Sequence, residues 1–289
     1  MTLTRVTTAT RAKATVLVEA MPYLRELAGR RVVVKCGGEI VDDAEQAASL
    51  VQDLLLLKMV GIDVVLCHGG GPQISRMMKR LGLEPAFREG RRVTDAETME
   101  ITAMVLLGRV NLELVGLLNV HGTEAIGVNG ADGRLFLVET DPRGIGYVGR
   151  IVEVSPEPVD RLLADGYLPV VASIGMDAGG RPHNINADEA AGRLAAALGA
   201  EKFVLLTNVE GLYESFGDED SLVSEIDPPG LRALAAGGSL SAGMGPKVEG
   251  ILAAVEGGVP RCHILDGRED HALLLEIFTP EGIGTMVTP

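Results

Sequence analysis

Short apolar runs rich in β-branched residues recur along the chain, a pattern typical of buried strands. Five of them predict strands at 31–35, 63–67, 168–173, 202–207 and 263–265. Segments with helical periodicity fall between most of these runs. Strands that alternate with helices favour an α/β fold, a mostly parallel sheet covered by helices on both faces.

The helical segments are rich in Ala and Leu and begin at recognisable capping residues. They are predicted at 46–59, from a capping box at Thr94 and Glu97 toward Leu118, from Ser155–Pro156 to near Gly166, at 188–198, and at 245–256. The glycine-rich segment 128–154 is different, because its short β-like runs at 135–139 and 151–154 predict hairpins laid over an edge of the sheet.

The turn-rich stretch 177–181 is the best internal division of the chain. We expect three parts: an N-terminal helix in residues 1–30, a first lobe in 31–179, and a second lobe in 180–289. Ligands of open α/β sheets lie at the carboxyl ends of the strands, often between lobes.

An apolar stripe marks the segment 12–28, where Leu17, Met21, Leu24 and Ala28 recur at helical spacing. Pro22 lies within this segment and predicts a kink. The stripe either packs back on its own domain or packs against another subunit, and the pattern alone leaves both interpretations open.

Composition narrows the function classes. The net charge of −14 over 289 residues argues against nucleic-acid binding by bulk electrostatics. The three cysteines show no C-x-x-C spacing, which favours a reduced, cytoplasmic protein. No apolar stretch is expected to reach the ~18–20 residues that span a membrane. The basic first eighteen residues weakly resemble a transit peptide, but an ordinary terminus is the simpler interpretation.

A strand, three glycines and a proline follow one another in Val64-Val65-Leu66-Cys67-His68-Gly69-Gly70-Gly71-Pro72-Gln73. Glycines allow a sharp turn and a close approach to a ligand, and proline suits the first turn of a helix. The unpaired amide groups at such a helix start bind anions. The stretch therefore predicts a phosphate or carboxylate site.

Two familiar phosphate motifs are excluded. The P-loop needs a Gly-Lys dipeptide, and the chain contains none. A formal G-x-G-x-x-G match at 144–149 follows a loop and precedes a strand-like run, the wrong context for a dinucleotide site. The histidines are scattered, so His68 is better interpreted as structural than as a metal ligand, and no protein metal site is expected.

In Lys35-Cys36-Gly37-Gly38, a lysine ends the first predicted strand and a second glycine turn follows it. Alone, Lys35 could be a surface residue whose ammonium group reaches solvent. Beside the glycine loop of the next strand, it would place one cation and two sets of backbone amides around one anion. Cys36, adjacent to this lysine, is a candidate for oxidation sensitivity.

Three further segments carry charge at predicted helix starts. Asn186 or Asp188 could simply cap a helix, or the carboxylate could orient lysines around a phosphate. Lys247, in Gly243-Met-Gly-Pro-Lys247, stands at the positive end of a helix, which is electrostatically unfavourable unless an anion binds there. Arg91 and Arg92 are either an exposed pair or a carboxylate-binding fork.

Together these segments form an ordered set that can be compared with known families. The ordered motifs Lys35-Cys-Gly-Gly, His68-Gly-Gly-Gly-Pro, Gly90-Arg-Arg-Val-Thr-Asp95, Asn184-Ile-Asn-Ala-Asp188, Thr207-Asn-Val-Glu-Gly-Leu212 and Gly243-Met-Gly-Pro-Lys247 resemble the acetylglutamate kinases of the amino acid kinase family. The resemblance covers the chain from about Arg31 to its C-terminus. It implies an αβα sandwich around an eight-stranded, mostly parallel sheet, in which one lobe holds N-acetyl-L-glutamate and the other MgATP.

The resemblance also implies residue roles for phosphorylation of the side-chain carboxylate of N-acetyl-L-glutamate, a step of arginine biosynthesis. Lys35 and Lys247 would neutralise the moving phosphoryl group, and Asp188 would hold both lysines. The resemblance also implies that phosphate contacts Gly38 and Gly70. The acyl amino acid would contact Gly70, Gly71, Arg92 and Asn184. The nucleotide would contact Thr207, Asn208, Gly211, Leu212 and Tyr213.

Relatives inhibited by L-arginine carry a kinked helix before the first strand, which interlaces dimers into a hexameric ring, and a C-terminal stretch similar to 271–286. Both features are present here. The resemblance therefore implies feedback inhibition by L-arginine in a homohexamer built as a trimer of dimers. The implied arginine site contains Tyr23, Lys202, His271, Glu276 and Gly282.

Two alternatives stay open at this point. A kinase for acetylaminoadipate, in lysine biosynthesis, would need a pocket longer by one methylene. A non-catalytic arginine-sensing module would need neither catalytic lysine, although Lys35, Lys247 and Asp188 are all present. Two departures from the family pattern, Cys36 and Gly245, touch no residue with an implied catalytic role. No nucleic acid or membrane partner is expected.

Overall fold

A computed structural model describes residues 8–122, 124–215, 218–237, 243–279 and 282–289. The helices are α1 (Thr8–Leu27), α2 (Gly38–Asp42), α3 (Ala44–Met59), α4 (Gly71–Arg80), α5 (Ala96–Val105), α6 (Leu112–Asn119), α7 (Glu157–Ala164), α8 (Ala187–Ala197), α9 (Pro228–Ala236), α10 (Gly245–Glu256) and α11 (Ala272–Phe278).

The strands are β1 (Arg31–Cys36), β2 (Asp63–His68), β3 (Phe87–Arg88), β4 (Arg91–Arg92), β5 (Ala125–Asn129), β6 (Phe136–Thr140), β7 (Gly149–Val154), β8 (Leu168–Ala172), β9 (Ile174–Met176), β10 (Pro182–Asn184), β11 (Lys202–Thr207), β12 (Leu212–Tyr213), β13 (Leu222–Val223), β14 (Glu225–Ile226), β15 (Arg261–Asp266) and β16 (Thr285–Val287). Eight of them form the main sheet in the order β14-β16-β15-β11-β1-β2-β8-β5.

The main sheet confirms the predicted α/β class. All neighbouring strands in it are parallel except β15 and β16. Every one of the five predicted strands is a member, with bounds shifted by at most two residues. β1 lies between β2 and β11, so the sheet is continuous across the predicted division at 177–181, which is the turn between β9 and β10. The division into lobes remains a prediction.

Side chains alternate between two cores on opposite faces of this sheet. Val32 and Val34 belong to one core, whereas Val33 belongs to the other. Burial on both faces explains why the central strands have nearly continuous apolar sequences. The sheet is therefore a rigid base for the loops at its carboxyl edge.

The predicted long helix exists, but its cap was predicted one residue too early. Asp95, not Thr94, accepts the hydrogen bond from the backbone N–H of Thr98, while Thr94 is buried and donates to the carbonyl of Arg92. A carboxylate is a good acceptor for the first free N–H groups of a helix. Residues Leu106–Asn111 form a π-helical turn between α5 and α6.

One expectation from the apolar pattern was wrong. The continuous helix from Ala96 to Asn119 is long and apolar enough to cross a membrane by length and composition. It is 24 residues long, and its most apolar 18-residue window has a mean hydropathy of 1.7, because the π-helical turn joins two apolar helices. Its inner side chains, including Val105, Val110 and Leu114, are fully buried in the protein core. The helix thus packs as a core element.

The glycine-rich segment forms the predicted hairpin. β6 and β7 pair antiparallel within a second sheet of order β10-β9-β6-β7. The G-x-G-x-x-G match ends at Gly149, the first residue of a strand, with Gly144 and Gly146 at positive φ in the preceding loop. The pattern is therefore a turn in a hairpin, as predicted, and opens no helix.

α1 begins at Thr8 and contains Pro22. Leu27 at its end is buried, and α1 contacts α11. Val16, Leu17 and Val18 are each more than 60% exposed. Within the described chain, α1 therefore packs on its own domain through Leu27, outside the predicted stripe, in which Leu17, Met21 and Ala28 are exposed and Leu24 is half-buried.

Candidate functional site

Two glycine turns meet at the carboxyl edge of the sheet. β1 and β2 are adjacent and parallel, with Cys36 opposite His68, so the turn after each strand lies beside the other. The backbone N–H of Gly69 donates to the carbonyl of Cys36 at 3.3 Å. Neither the start of α2 nor that of α4 has a side-chain cap. Free amide groups of two helices therefore face one place, as predicted.

Glycine is required in this loop for steric reasons. A Cβ on Gly70 would lie 2.7 Å from Cδ2 of Leu106, and one on Gly38 would lie 2.3 Å from Oε1 of Gln73. The π-helical turn that carries Leu106 thus packs directly against the glycine loop. The amide Nε2 of Gln73 donates to the carbonyl of Gly38 at 2.7 Å, which joins α4 to the first glycine turn.

A buried ion pair lies beneath the two turns. Nζ of Lys35 is 2.6 Å from Oδ1 of Asp188, and each side chain is only 8% exposed. Asn186 caps α8 by accepting from the backbone N–H groups of Asp188 and Glu189. The capping interpretation therefore holds for Asn186, and the carboxylate of Asp188 faces Lys35.

Lys247, in the first turn of α10, is a third charged residue that interacts with Lys35 and Asp188. Burial pushes the pKa of Asp188 upward, but the charges of Lys35 and Lys247 outweigh it and hold that pKa below its usual value. Burial lowers the pKa of Lys247, Asp188 opposes the change, and Lys35 adds to it. These three residues thus carry one negative and two positive charges. The net positive charge favours the binding of an anion.

Close helix packing brings Lys247 to this place. α8 and α10 cross where Gly192 and Gly250 are in contact, and a Cβ on Gly192 would lie 2.1 Å from the carbonyl oxygen of Gly250. A Cβ on Gly250 would lie 2.5 Å from the carbonyl oxygen of Asp188. The absence of side chains at both positions lets the start of α10 approach that of α8.

Two cavities meet at Lys35. The first, of about 220 Å³, is lined by Lys35, Gly37, Gly38, Gly69, Gly70, Gly71, Ile74, Phe87, Gly90, Arg91, Arg92, Leu106, Val148, Ser173, Asn184, Ile185, Asn186, Ala187 and Asp188. The second, of about 490 Å³, is lined by Lys35, Gly37, Gly38, Glu39, Ile40, Asp43, Gln46, Pro72, Leu206, Thr207, Asn208, Gly243, Lys247 and Arg268. Lys35, Gly37 and Gly38 therefore form a wall common to both.

Arg92 and Asn184 lie in the first cavity, as predicted. Nη2 of Arg92 donates to the carbonyl of Gly71 at 2.9 Å and to Oγ of Ser75 at 2.8 Å. Its guanidinium carbon is 4.8 Å from the centre of the Phe87 ring. Burial lowers the pKa of Arg92. The guanidinium is thus fixed at the edge of the glycine loop, in position to bind a carboxylate.

His68 has the structural role predicted for it. Burial lowers its pKa to about 4, although the carbonyl of Gly69 acts in the opposite direction. Nδ1 of the neutral ring lies 3.1 Å from that carbonyl, and Nε2 lies 3.0 Å from Nδ2 of Asn111. The sequence analysis missed Asn111, which also donates to the carbonyl of Val170. The π-helical turn therefore holds the glycine loop through His68.

The predicted nucleotide residues divide into two groups. Thr207 and Asn208 line the second cavity, whereas Gly211, Leu212 and Tyr213 are outside its lining. Leu212 is buried in the core, where its backbone N–H donates to Oγ1 of Thr285. Arg268, which also lines the second cavity, was missed by the sequence analysis; it follows β15 by two residues, whereas Lys35 stands within β1.

Cys36 is protected by its surroundings. Its side chain is fully buried, and burial raises the pKa of the thiol to about 12. Only the thiolate is readily oxidised, so the expectation of oxidation sensitivity is wrong. Position next to Lys35 in sequence does not imply access from the site, because successive side chains of a strand point to opposite faces.

A second polar cluster lies at the other end of β11 and β15. Nζ of Lys202 is 3.1 Å from Nε2 of His263, whose Nδ1 is 2.6 Å from Oε1 of Glu276. Oε2 of Glu276 accepts from the backbone N–H of Ile283, beside Gly282 with a φ of 62°. His263 was missed by the sequence analysis.

The other two predicted arginine-site residues have different surroundings. His271 has positive φ, and its Nδ1 is 2.7 Å from Oδ1 of Asp53 on α3. Tyr23 lies on α1, which contacts α11. Among the residues that the structure describes, no three His, Cys, Asp or Glu side chains come together as a metal site.

Comparisons with known proteins point to one family. A model of the amino acid kinase family matches residues 30–266. The acetylglutamate kinase of Thermoanaerobacter pseudethanolicus is 49% identical over 278 residues, which cover 96% of this chain and 93% of the relative. The acetylglutamate kinase of Acidothermus cellulolyticus is 50% identical over 298 residues, which cover 99% of this chain and all of the relative.

Among solved structures, N-acetylglutamate synthase from Neisseria gonorrhoeae is similar in two complexes. With coenzyme A and N-acetyl-glutamate, it is 28% identical with a TM-score of 0.84, and the match covers 96% of this chain but 63% of the synthase. With coenzyme A and L-arginine, it is 27% identical with a TM-score of 0.82, over 95% of this chain and 65% of the synthase.

Proposed function

The chain belongs to the amino acid kinase family, and we propose that it transfers the γ-phosphoryl group of ATP to the side-chain carboxylate of N-acetyl-L-glutamate. The product is an acyl phosphate. The observation that carries this proposal is the wall shared by the two cavities, where Lys35, Gly37 and Gly38 separate a small chamber from a larger one. A phosphoryl group that passes from one chamber to the other must pass these residues.

The smaller chamber suits the acceptor. It contains the guanidinium of Arg92 and the amide of Asn184, which would bind the α-carboxylate and the acyl-amino portion of the substrate. The side-chain carboxylate of the substrate then points toward Lys35 and the glycine turns. A carboxylate is ionised at neutral pH, so the nucleophile needs no general base.

The remaining chemical problem is electrostatic. Two anions must approach, and negative charge spreads over the oxygens of the transferred group in the transition state. Lys35 and Lys247 supply positive charge from both chambers, and the amide groups of Gly38, Gly70 and Gly71 are fixed before the substrates bind. Asp188 holds the lysines apart and oriented. The site acts by position and charge.

Magnesium fits this arrangement as a partner of the nucleotide. Mg²⁺ is commonly held by substrate phosphates with few protein carboxylates, and it neutralises charge on them. In the larger chamber the available carboxylates are Glu39 and Asp43. We expect the phosphates to hold the ion, and the chain's own residues to position the phosphates.

A coupled assay of ADP formation tests the proposed reaction. Purified protein with MgATP should form ADP when N-acetyl-L-glutamate is added and form little without it. N-acetyl-L-2-aminoadipate, longer by one methylene, is the matched competitor, and one methylene changes specificity by about 10–200-fold. If kcat/KM is higher for N-acetyl-L-2-aminoadipate than for N-acetyl-L-glutamate, the aminoadipate is the substrate and the proposal is wrong. If the protein phosphorylates neither compound, the non-catalytic arginine-sensing module is the interpretation that remains.

We propose further that L-arginine inhibits the enzyme and binds at the cluster of Lys202, His263 and Glu276. The similarity to a synthase that was solved in complex with L-arginine supports a role for this ligand, and the chemistry of the cluster supports the place. Burial raises the pKa of Glu276, but hydrogen bonds from His263 and from the backbone of Ile283 bring it below its usual value. A buried, ionised carboxylate of this kind suits a guanidinium. Gly282 lies directly beside it, since a Cβ at that position would be 3.1 Å from Oε2 of Glu276.

An exposed apolar segment in the middle of α1 supports a role in assembly. Val16, Leu17 and Val18 would be covered if α1 packed against the same helix of another subunit, as in a hexamer formed from three dimers. Removal of residues 1–21 tests this and spares the buried Leu27. We expect the truncated protein to be smaller in sedimentation and to lose inhibition by L-arginine while it keeps its turnover. Unchanged size and inhibition would refute the proposal.

A further inference from the structure

Arg91 is a buried cation that the proposed chemistry does not use. It lies on β4, next to Arg92, and its side chain is only 5% exposed. β3 and β4 form a short hairpin (87–92), which we call the acceptor hairpin because it carries Arg92 and Phe87 into the smaller chamber. An arginine is seldom buried without partners.

The partners of Arg91 lie on two helices of the other half of the chain. Nη1 is 3.5 Å from Oε2 of Glu189 on α8, and Nη2 forms an ion pair with Glu249 on α10. Glu189 directly follows Asp188, and Glu249 is two residues after Lys247. Each carboxylate that binds Arg91 therefore lies within two residues of Asp188 or Lys247 on the same helix.

Residues 87–90 of the acceptor hairpin have little packing, whereas Arg91 and Arg92 on β4 are buried. Each of its strands has only two residues, Phe87 and Arg88 are exposed, and its turn has positive φ at both Glu89 and Gly90. Few contacts and an exposed backbone are typical of segments that open locally at low cost. The ion pairs of Arg91 tie this hairpin to α8 and α10.

We propose that Arg91 is a positioning residue that couples the acceptor hairpin to the nucleotide side of the site. A nucleotide in the larger chamber attracts Lys247 and fixes the first turn of α10. Glu249 on the same helix then holds Arg91, and Arg91 steadies the hairpin that presents Arg92. By linkage, an acceptor bound at Arg92 must favour nucleotide binding by the same factor.

Amide hydrogen exchange tests the coupling without turnover. In the full-length protein, addition of Mg²⁺ and the ATP analogue AMP-PNP should slow exchange in the peptide that covers residues 86–93. In Arg91→Met this response should disappear, although the same analogue still slows exchange around Lys247. Loss of packing alone would raise the exchange of the hairpin equally with and without nucleotide.

Two further variants control this experiment. Arg88→Met removes a cation from the same hairpin, but Arg88 is exposed and donates only to the carbonyl of Arg143 among the described contacts. It should keep the wild-type response. Glu249→Gln, at a side chain that is 55% exposed, should reproduce the effect of Arg91→Met without a buried cavity. An acceptor hairpin that still responds to nucleotide in both Arg91→Met and Glu249→Gln overturns the proposal.

A binding readout rests on the proposed function, because it uses the proposed acceptor. In the wild type, saturating N-acetyl-L-glutamate should lower the Kd of AMP-PNP with Mg²⁺ by about fivefold or more, and Arg91→Met should bring this ratio close to one. Arg88→Met should leave the ratio unchanged. If the wild type does not phosphorylate N-acetyl-L-glutamate, the proposed function fails, while the exchange experiment still decides the role of Arg91.

Discussion

Nζ of Lys35, at the end of β1, lies 2.6 Å from Oδ1 of Asp188, at the start of α8. Both groups are nearly removed from water, and burying two charges costs about as much as their attraction returns. Such a pair is therefore not retained for stability. Its value here lies in holding an ammonium group, pre-oriented, on the wall between the two chambers.

Lys35→Ala should lower kcat by about 100- to 1,000-fold, the usual effect of removing one fixed group that stabilises transition-state charge. Asp188 keeps Lys247 as a counter-ion, so we expect the variant to fold and to bind ATP. Steady-state kinetics and nucleotide titration measure the two effects. Lys79→Ala, at an exposed position of α4, is the charge-matched control and should retain wild-type kcat. Turnover near normal in Lys35→Ala would refute the assigned role.

Arg92→Lys should raise the KM for N-acetyl-L-glutamate about tenfold or more and leave the KM for ATP nearly unchanged. Lysine keeps the charge but cannot donate to the carbonyl of Gly71 and to Ser75 while it also forks onto a carboxylate. The same change at exposed Arg88, on the same hairpin, should alter neither constant. An equal rise in both KM values would mean that Arg92 supports the fold of the site and does not contact the acceptor.

His68 should make the protein less stable in mild acid. Its pKa falls from 6.5 to about 4 on burial, so below pH 6.5 the unfolded chain takes up a proton that the folded chain refuses. The free energy of unfolding should therefore fall as the pH drops from about 7 to about 4, by up to about 3 kcal/mol from this residue.

Urea unfolding of His68→Gln across the same pH range measures this contribution. The difference in unfolding free energy between wild type and variant should shrink as the pH falls. His121→Gln, at an exposed turn after α6, should follow the wild-type curve. Parallel curves for wild type and His68→Gln would show that the imidazole is protonated inside the protein.

Much of the architecture could be predicted from local sequence, because its determinants are local. Strands buried on both faces have continuous apolar runs, and the positions of Lys35 and the glycine turns follow from where those runs end. The register of neighbouring parallel strands then brings the two turns together. The site was predictable to the extent that it consists of strand ends.

The residues that were missed depend on contacts between distant segments. Asn111 lies on a π-helical turn that no apolar pattern marks, and Glu249 becomes a partner of Arg91 only because α10 crosses α8. The wrong prediction for Cys36 has the same origin, since burial on the far face of β1 is a property of the folded sheet. Short strands such as β14 and β16 carry too few residues to show alternation.

The crossing of α8 and α10 can be tested with two glycines in helix interiors. Gly192→Ala would place its methyl group 2.1 Å from the carbonyl oxygen of Gly250, so the helices must separate. Overpacking of this kind costs about 3 kcal/mol, and it should also lower kcat because the start of α10 carries Lys247. Gly116→Ala, on α6, meets nothing within 4 Å and should gain about 1 kcal/mol from better helix propensity.

Urea unfolding of both variants at one protein concentration separates these effects, since subunit association also contributes to stability. Gly192→Ala should therefore lower the free energy of unfolding, whereas Gly116→Ala should raise it. Only Gly192→Ala should lose activity. If Gly192→Ala were as stable and as active as the wild type, the crossing could relax without moving Lys247. The close contact of Gly192 with Gly250 would then not be what places that lysine beside Asp188.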